Sequence, residues 1–185
     1  DSLKGTNTGI YVGSGPSSYT TMMSHLPIEA YSVTGTLSSV GPNRISYNMD
    51  WHGPSNPIDT ACSSSLVAAH RAIEAIRAGQ CEVAIIGGVN ALLSPDVYIS
   101  FAKSGMLCED GRCKTFSDKA NGYVRGEGVA MLMLKSLRAA QRDGDDIYRR
   151  GYRGTKAATI WRFDQADGSF TNLARAPDQS EFRWP

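Results

Sequence analysis

The chain has 185 residues, 41% hydrophobic and 20% charged, an ordinary globular composition for one domain or part of a larger one. A formal net charge of +1 gives no footprint for nucleic acid or for an anionic membrane surface. No apolar run approaches the roughly 18 residues that a membrane-spanning helix needs. The opening "DSLKGTNTGIYVG" has no basic n-region and no long apolar stretch, so no export signal is read there. It also lacks an initiator methionine, so the chain looks cut from something longer.

The four cysteines, Cys62, Cys81, Cys108 and Cys113, form no C-x-x-C pair, and His25, His52 and His70 are scattered. No metal site is expected from that spacing. Without an export signal the thiols are read as reduced, in a cytoplasmic protein.

Thr8 to Gly13, "TGIYVG", reads as a buried strand running into the turn material "SGPSS". Ser17 to Tyr31 is mixed, with helical propensity around "SYTTMMSHL". Ser38 to Tyr47 forms a short helix if Pro42 falls in its first turn. "DWHGPSNP" is loop, and Ile58 to Ala61 is a short strand. From Ser63 to Ala78 the residues Leu66, Val67, Ala69, His70, Ile73 and Ile76 recur near helical spacing, with Gly79 as the C-terminal cap. Val83 to Ile86 is a β-branched core strand ending at Gly87-Gly88, which permits close backbone packing. Asp96 to Ser104 is a helix, with Ser94 before Pro95 in an N-cap-like position.

Glu109 to Gly128 is long, polar and glycine-rich, which predicts an ordered functional loop. Val129 to Leu134 is a strand, Lys135 to Arg142 a basic helix stopped by "DGD", and Ile147 to Tyr152 a further strand. Alternation of strand and helix makes the chain α/β. From Lys156 onward neither period is clean, and no element is assigned.

The chemistry concentrates at "PIDTACSSSLVAAH", residues 57–70. Cys62 sits where a strand passes into a helix, among Ala61, Ser63, Ser64 and Ser65. A free thiol, with a pKa near 8.5, is mostly protonated at neutral pH. A helix amino terminus favours the thiolate through its unpaired N–H groups and its dipole. Small neighbours permit a sharp turn and a close approach by a carbonyl, as in a nucleophile elbow, although Thr60 and Ser64 stand where that motif has glycines. On spacing alone Cys62 is either this nucleophile or a small apolar filler. His70, eight residues along the same helix and roughly 12 Å away, cannot serve it as base. His52 can approach from the preceding loop, but nothing requires it.

"DTACSSSL", "GGVN", "SPD…F…GML", "DGRCKTF" and "ANGYVRGEG" occur in an order and spacing that resemble the β-ketoacyl synthase (ketosynthase) domain of a modular type I polyketide synthase. The resemblance runs from about Gly9 to Thr155. The wording of "HGPSNPIDTACSSSLVAAHRA" is similar to the trans-acyltransferase subfamily.

The resemblance implies a thiolase-like α/β fold, of which this chain carries mainly the N-terminal half. Residues 1–155 would be a partial ketosynthase domain and residues 156–185 a poorly matching tail. Cys62 matches the acyl-accepting cysteine. It would take an acyl chain from the phosphopantetheine of an acyl carrier protein as a thioester, with its own N–H as one oxyanion donor. A malonyl unit on a second carrier would be decarboxylated, and its carbanion would attack that thioester. No cofactor would be bound by the domain itself. The partners implied are the acyl carrier protein and a second copy of the chain, with no nucleic acid and no membrane.

Motifs of the "HGTGT" and "NIGH" type, whose histidines promote decarboxylation in the family, do not occur in this sequence. No role passes from them to His25, His52 or His70. The chain is therefore expected to stop short of them and to be inactive in condensation by itself. A second reading is a non-catalytic module that docks carrier proteins or supports a dimer, and a third is a cysteine hydrolase using the Cys62 turn alone, which the family resemblance disfavours.

Glu127 in "RGEG" would support the active site by pairing with a lysine outside this chain, or would serve a structural or capping role. Cys81, Cys108 and Cys113 are read as buried or loop thiols, and the basic residues of "DGRCKTF" as a solvated loop. Phe116 is followed by Ser117 and then Asp118, where the family has aspartate directly after the phenylalanine. Between Arg153-Gly154-Thr155 and Gln179-Ser180-Glu181 the family pattern is lost. The expectation is a shift and restoration of reading frame in the DNA, and it fails if neither of the other two frames yields the family's asparagine–glycine pattern.

Overall fold

The computed structural model describes residues 3–15, 18–143, 161–163 and 170–172. By its contacts the chain divides into two units, Asp1–Leu134 and Lys135–Pro185.

The first unit is built on a four-stranded sheet. β1 (Thr8–Ser14) lies between β2 (Ser55–Ile58) and β3 (Val83–Asn90), and β4 (Gly128–Lys135) flanks β3 in the order β2-β1-β3-β4. β1 pairs in parallel with both neighbours; Ile10 stands opposite Ser55 on one side and Ile85 on the other. Residues 8–13 of β1 are buried, as a central parallel strand covered on both faces requires.

Before β3 come the helices α1 (Tyr19–Met23), α2 (Val40–Met49) and α3 (Ser64–Arg77). Pro42 falls in the first turn of α2, where a missing N–H costs nothing. Ser46 Oγ of α2 lies 2.8 Å from Ser55 Oγ. Ser55 is paired with Ile10, so α2 covers the face toward which Ile10 and Val12 point. α3 covers the other face. Its stripe Ala68, Ala72 and Ala75 packs on Tyr11, Ala84 and Ile86, with Ile58, Ile76, Leu132 and Leu134 around them.

Methyl-sized side chains at a spacing of four and three residues let the helix axis come close to the sheet. α3 ends as the glycine at position 79 predicts. Gly79 has a φ of +72°, Gln80 N–H bonds the Ala75 carbonyl at 2.9 Å, and Gly79 N–H bonds that of Ile76 at 3.2 Å, which is a Schellman cap.

α4 (Asp96–Lys103) follows β3. Ser94 Oγ accepts the Asp96 N–H at 3.2 Å, as its N-cap-like position suggests. Residues 104–127 form the long polar loop, with a single bridge between Leu107 and Tyr123. In the second unit α5 (Leu137–Arg142) is capped by Ser136, whose hydroxyl accepts the Ala139 N–H at 3.2 Å.

Several expectations are corrected. The strand expected at 58–61 is β2, and it runs over Ser55–Ile58, inside the stretch read as loop. β2 is an edge strand in this sheet, and an edge accepts Pro57, which cannot donate to a ladder. β3 does not stop at Ile86 but continues through Gly87-Gly88 to Asn90. Lys135 closes β4 rather than opening α5. The tail to which no element was assigned contains an antiparallel pair, β5 (Trp161–Phe163) with β6 (Phe170–Asn172). The strand expected at 147–152 and the boundary at 155/156 lie outside the described residues.

Candidate active site at Cys62

The parallel strands β1, β2 and β3 bring their carboxyl ends to one edge of the sheet, the usual location of an α/β site. The amino end of α3 rests on that edge. Gly13 and Gly88 stand side by side on β1 and β3. A Cβ on Gly13 would fall 2.7 Å from Ser65 N, and one on Gly88 would fall 3.2 Å from Ser65 Cβ. Two bare positions thus form the floor on which Ser64 and Ser65 sit. Cys62, one residue before Ser63, the N-cap of α3, is thereby placed over the strand ends, and it is exposed.

The turn is strained. Ala61 has a φ of +54°, a left-handed conformation that costs a non-glycine residue about 1–2 kcal/mol. Surrounding hydrogen bonds hold it. Asp59 Oδ1 accepts the Ala61 N–H at 3.1 Å, Ser64 N–H bonds the Ala61 carbonyl at 3.1 Å, and Ser63 Oγ donates to the Thr60 carbonyl at 2.8 Å. Ser64 Oγ accepts the Thr60 N–H at 2.9 Å and donates to the Ala61 carbonyl at 2.7 Å. The arrangement presents an accessible thiol on a fixed turn before a helix amino terminus, which suits nucleophilic attack on a carbonyl carbon.

Neither histidine that bears on this turn by sequence stands beside it. The His52 N–H bonds the Thr6 carbonyl, and its ring lies 3.0 Å from Asp50 Oδ1. Thr6 is at the amino end of β1, roughly 20 Å from Gly13 at about 3.3 Å per residue. His52 therefore does not approach Cys62, and the open possibility of a base from that loop closes. His70 is exposed and faces Glu74 at 3.4 Å on its own helix. His25 is exposed in the turn after α1.

Glu127 lies toward the same edge of the sheet. Its Oε1 accepts the Leu92 N–H at 2.6 Å, two residues beyond β3, while Asn90 Nδ2 donates to the Gly126 carbonyl at 2.6 Å. In this chain its carboxylate ties the end of the long loop to the segment leaving β3. Arg125 strengthens that tie: its guanidinium lies 5.2 Å from the Tyr98 ring and 5.1 Å from the Phe101 ring of α4. Its Nε and Nη1 have no acceptor among the described residues. The sequence singled out neither Arg125 nor Gly13; aromatic residues three apart in α4, and a glycine at the end of β1, were the available signals.

The remaining cysteines differ from Cys62. Cys81 is buried against Gly9, and burial pushes its thiol up; the same burial, with Cys81 nearby, pushes the Tyr11 phenol up. Cys108 Sγ lies 2.8 Å from Asp110 Oδ1, and Lys114 Nζ lies 2.7 Å from Asp110 Oδ2. Together they pull the Asp110 carboxyl down to about 2. Cys113 Sγ accepts the Val124 N–H at 3.3 Å. Lys114 and Phe116 both have positive φ, and the Phe116 side chain is 96% exposed. Ser117 Oγ lies 3.3 Å from Asp118 Oδ1. Among the described residues no group of histidine, cysteine and acidic side chains could hold a metal ion, and no helix is long and apolar enough to cross a membrane.

The comparisons agree with this architecture. Residues 1–140 match the family model of the β-ketoacyl synthase N-terminal domain. The chain is 54% identical over 147 residues to polyketide synthase PksN of Bacillus subtilis, covering 80% of this chain and 3% of that protein. It is 49% identical over 150 residues to a probable polyketide synthase of Dictyostelium discoideum, covering 80% and 5%. Among solved structures it resembles the ketosynthase from module 6 of the bacillaene synthase of Bacillus subtilis, at 38% identity and a TM-score of 0.65 over 78% of this chain and 24% of that one. It also resembles an oxazolomycin ketosynthase domain of Streptomyces albus, at 40% identity and a TM-score of 0.70 over 78% and 26%. The chain spans about a quarter of these solved chains and a few per cent of the curated relatives. With a thiolase-like α/β sheet, the family's motifs in order and a match over residues 1–140, the chain belongs to the β-ketoacyl synthase N-terminal domain family.

Proposed function

We propose that this chain is the acyl-accepting part of a polyketide synthase ketosynthase, with Cys62 as its nucleophile. The observation that carries the reading is an exposed thiol on a strained turn at the carboxyl edge of a parallel sheet, immediately before a helix amino terminus. The Cys62 sulfur attacks the thioester carbonyl of an acyl group borne on the phosphopantetheine of an acyl carrier protein. A new carbon–sulfur bond forms, and the phosphopantetheine thiol departs with a proton. The Cys62 N–H donates to the oxyanion that forms on the way.

In the complete synthase a malonyl carrier loses carbon dioxide, and its carbanion attacks the Cys62 thioester. A carbon–carbon bond forms and the cysteine is released. The histidine motifs associated with that second half-reaction are not in this sequence, so the chain by itself acylates without condensing. Glu127 supports the edge of the site by holding the segment after β3. The ketosynthase works as a homodimer in the cytoplasm, and residues 1–155 make up its portion of this chain.

Incubation of the chain with a short acyl N-acetylcysteamine thioester tests the reading by mass spectrometry. One acyl adduct is expected, mapped to Cys62 and absent from Cys62→Ala. No adduct in the wild type, or an adduct that survives Cys62→Ala, would overturn it.

A further inference from the structure

The Cys62 turn raises a question of restraint. Ala61 is exposed, so no packing wedges it into its left-handed conformation. Hydrogen bonds do: Asp59 Oδ1 accepts the Ala61 N–H at 3.1 Å, the Ser64 N–H reaches the Ala61 carbonyl at 3.1 Å, and two more bonds pass through the Ser64 hydroxyl. Ser64 is 6% exposed, and its hydroxyl both donates to the Ala61 carbonyl at 2.7 Å and accepts the Thr60 N–H at 2.9 Å. It thus ties the peptide group before Thr60 to the peptide group after Ala61. Its Cβ is braced against the bare position at Gly13, where an added Cβ would fall 3.0 Å away. Ser63 and Ser65, on either side, are exposed, and the Ser63 hydroxyl reaches only Thr60.

The peptide between Ala61 and Cys62 is planar and trans, so its carbonyl and its N–H point in opposite directions. Holding the Ala61 carbonyl down onto Ser64 therefore fixes the direction of the Cys62 N–H. We propose that Ser64 is a positioning residue for acyl transfer: its buried hydroxyl aims the Cys62 N–H at the oxyanion formed when the thiol attacks a thioester. The inference rests on the reading of Cys62 as acyl acceptor. It predicts a defect confined to chemistry that develops an oxyanion. Alkylation of Cys62 by iodoacetamide passes through no oxyanion and gains nothing from that N–H.

The test compares Ser64→Thr with Ser64→Val, which share a branched Cβ and differ in the hydroxyl. For each, two rates are measured at Cys62: acylation by the N-acetylcysteamine thioester and alkylation by iodoacetamide. Ser64→Thr should acylate within about threefold of the wild type, and Ser64→Val at least tenfold more slowly, since a lost oxyanion donor costs more than that. Alkylation should change less than about twofold in both.

Equal acylation in the two variants, or parallel loss of both reactions in Ser64→Val with Cys81 still protected from alkylation, would overturn the proposal. If Ser64→Val exposes Cys81, Ser64→Ala repeats the comparison without bulk against Gly13, and the same two outcomes decide. Failure of the Cys62 reading is visible separately, as absence of acylation in the wild type, and it would overturn this proposal too.

Discussion

Two cysteines bracket one helix. Cys62 immediately precedes α3 at the carboxyl edge of the sheet and is exposed; Cys81 follows its Schellman cap and is 2% exposed, packed against Gly9 near the start of β1. The helix amino end favours an anion and the carboxyl end does not. Burial at the second end pushes the Cys81 thiol up, so it stays protonated and behaves as a small apolar side chain. The same residue type is thus offered for reaction at one end and retired into the core at the other. Place in the fold decides which, and the strand floor decides the place.

The sharpest way to break this contrast is at the floor. In Gly13→Ala the new Cβ would meet backbone atoms, Ser65 N at 2.7 Å and Ser64 C at 2.9 Å, so the end of α3 must lift. A loss of about 2–3 kcal/mol in urea denaturation is expected, together with slower acylation of Cys62 and continued protection of Cys81. A variant as stable as the wild type would mean that the helix end is not seated on that glycine.

A smaller effect is expected at the other end. Cys81→Ser buries a hydroxyl beside the Gly9 backbone, where the larger thiol now packs, at a cost of about 1–3 kcal/mol and leaves acylation of Cys62 unchanged. If acylation falls as well, the two ends are coupled and the contrast fails.

The smallest effect is in pH dependence. With the Cys81 and Tyr11 groups raised in the folded state, the unfolded chain releases their protons first. Stability is therefore full below about pH 8.5, the ordinary thiol value, and declines as pH rises through the folded values, with the tyrosine adding from about pH 10. One proton gives a slope of at most about 1.4 kcal/mol per pH unit. Cys81→Ser should remove the thiol's share; an unchanged slope in that variant would assign the decline elsewhere.

Much of this was legible in the sequence, for identifiable reasons. α3 and its cap could be read because a 3.6-residue period ends on a glycine, and β1 because six buried positions run together. β2 was displaced because Ser55, Asn56 and Pro57 carry little strand propensity; only the parallel neighbour and the edge position make them a strand. β3 was cut short at Gly87 because glycine reads as an ending, whereas here it admits β4, whose Ala130 carbonyl leaves no room for a Cβ. The β5–β6 pair was missed because three-residue strands carry almost no periodic signal. At the site, "DTACSSSL" marked Cys62 without deciding its role. The hydroxyl of Ser64 was invisible as a functional group, since three serines in a row look alike until one is buried.

The alanine stripe of α3 has a consequence for the chemistry above it. Ala68, Ala72 and Ala75 act as a shim of fixed thickness between helix and sheet, and Cys62 rides on the end of that helix. Shortening them to glycine or lengthening them to valine would raise, lower or tilt the whole rod. Because reacting atoms tolerate only about 1 Å of misplacement before rates fall steeply, a methyl group buried far down the helix sets the height at which the thiol meets its substrate.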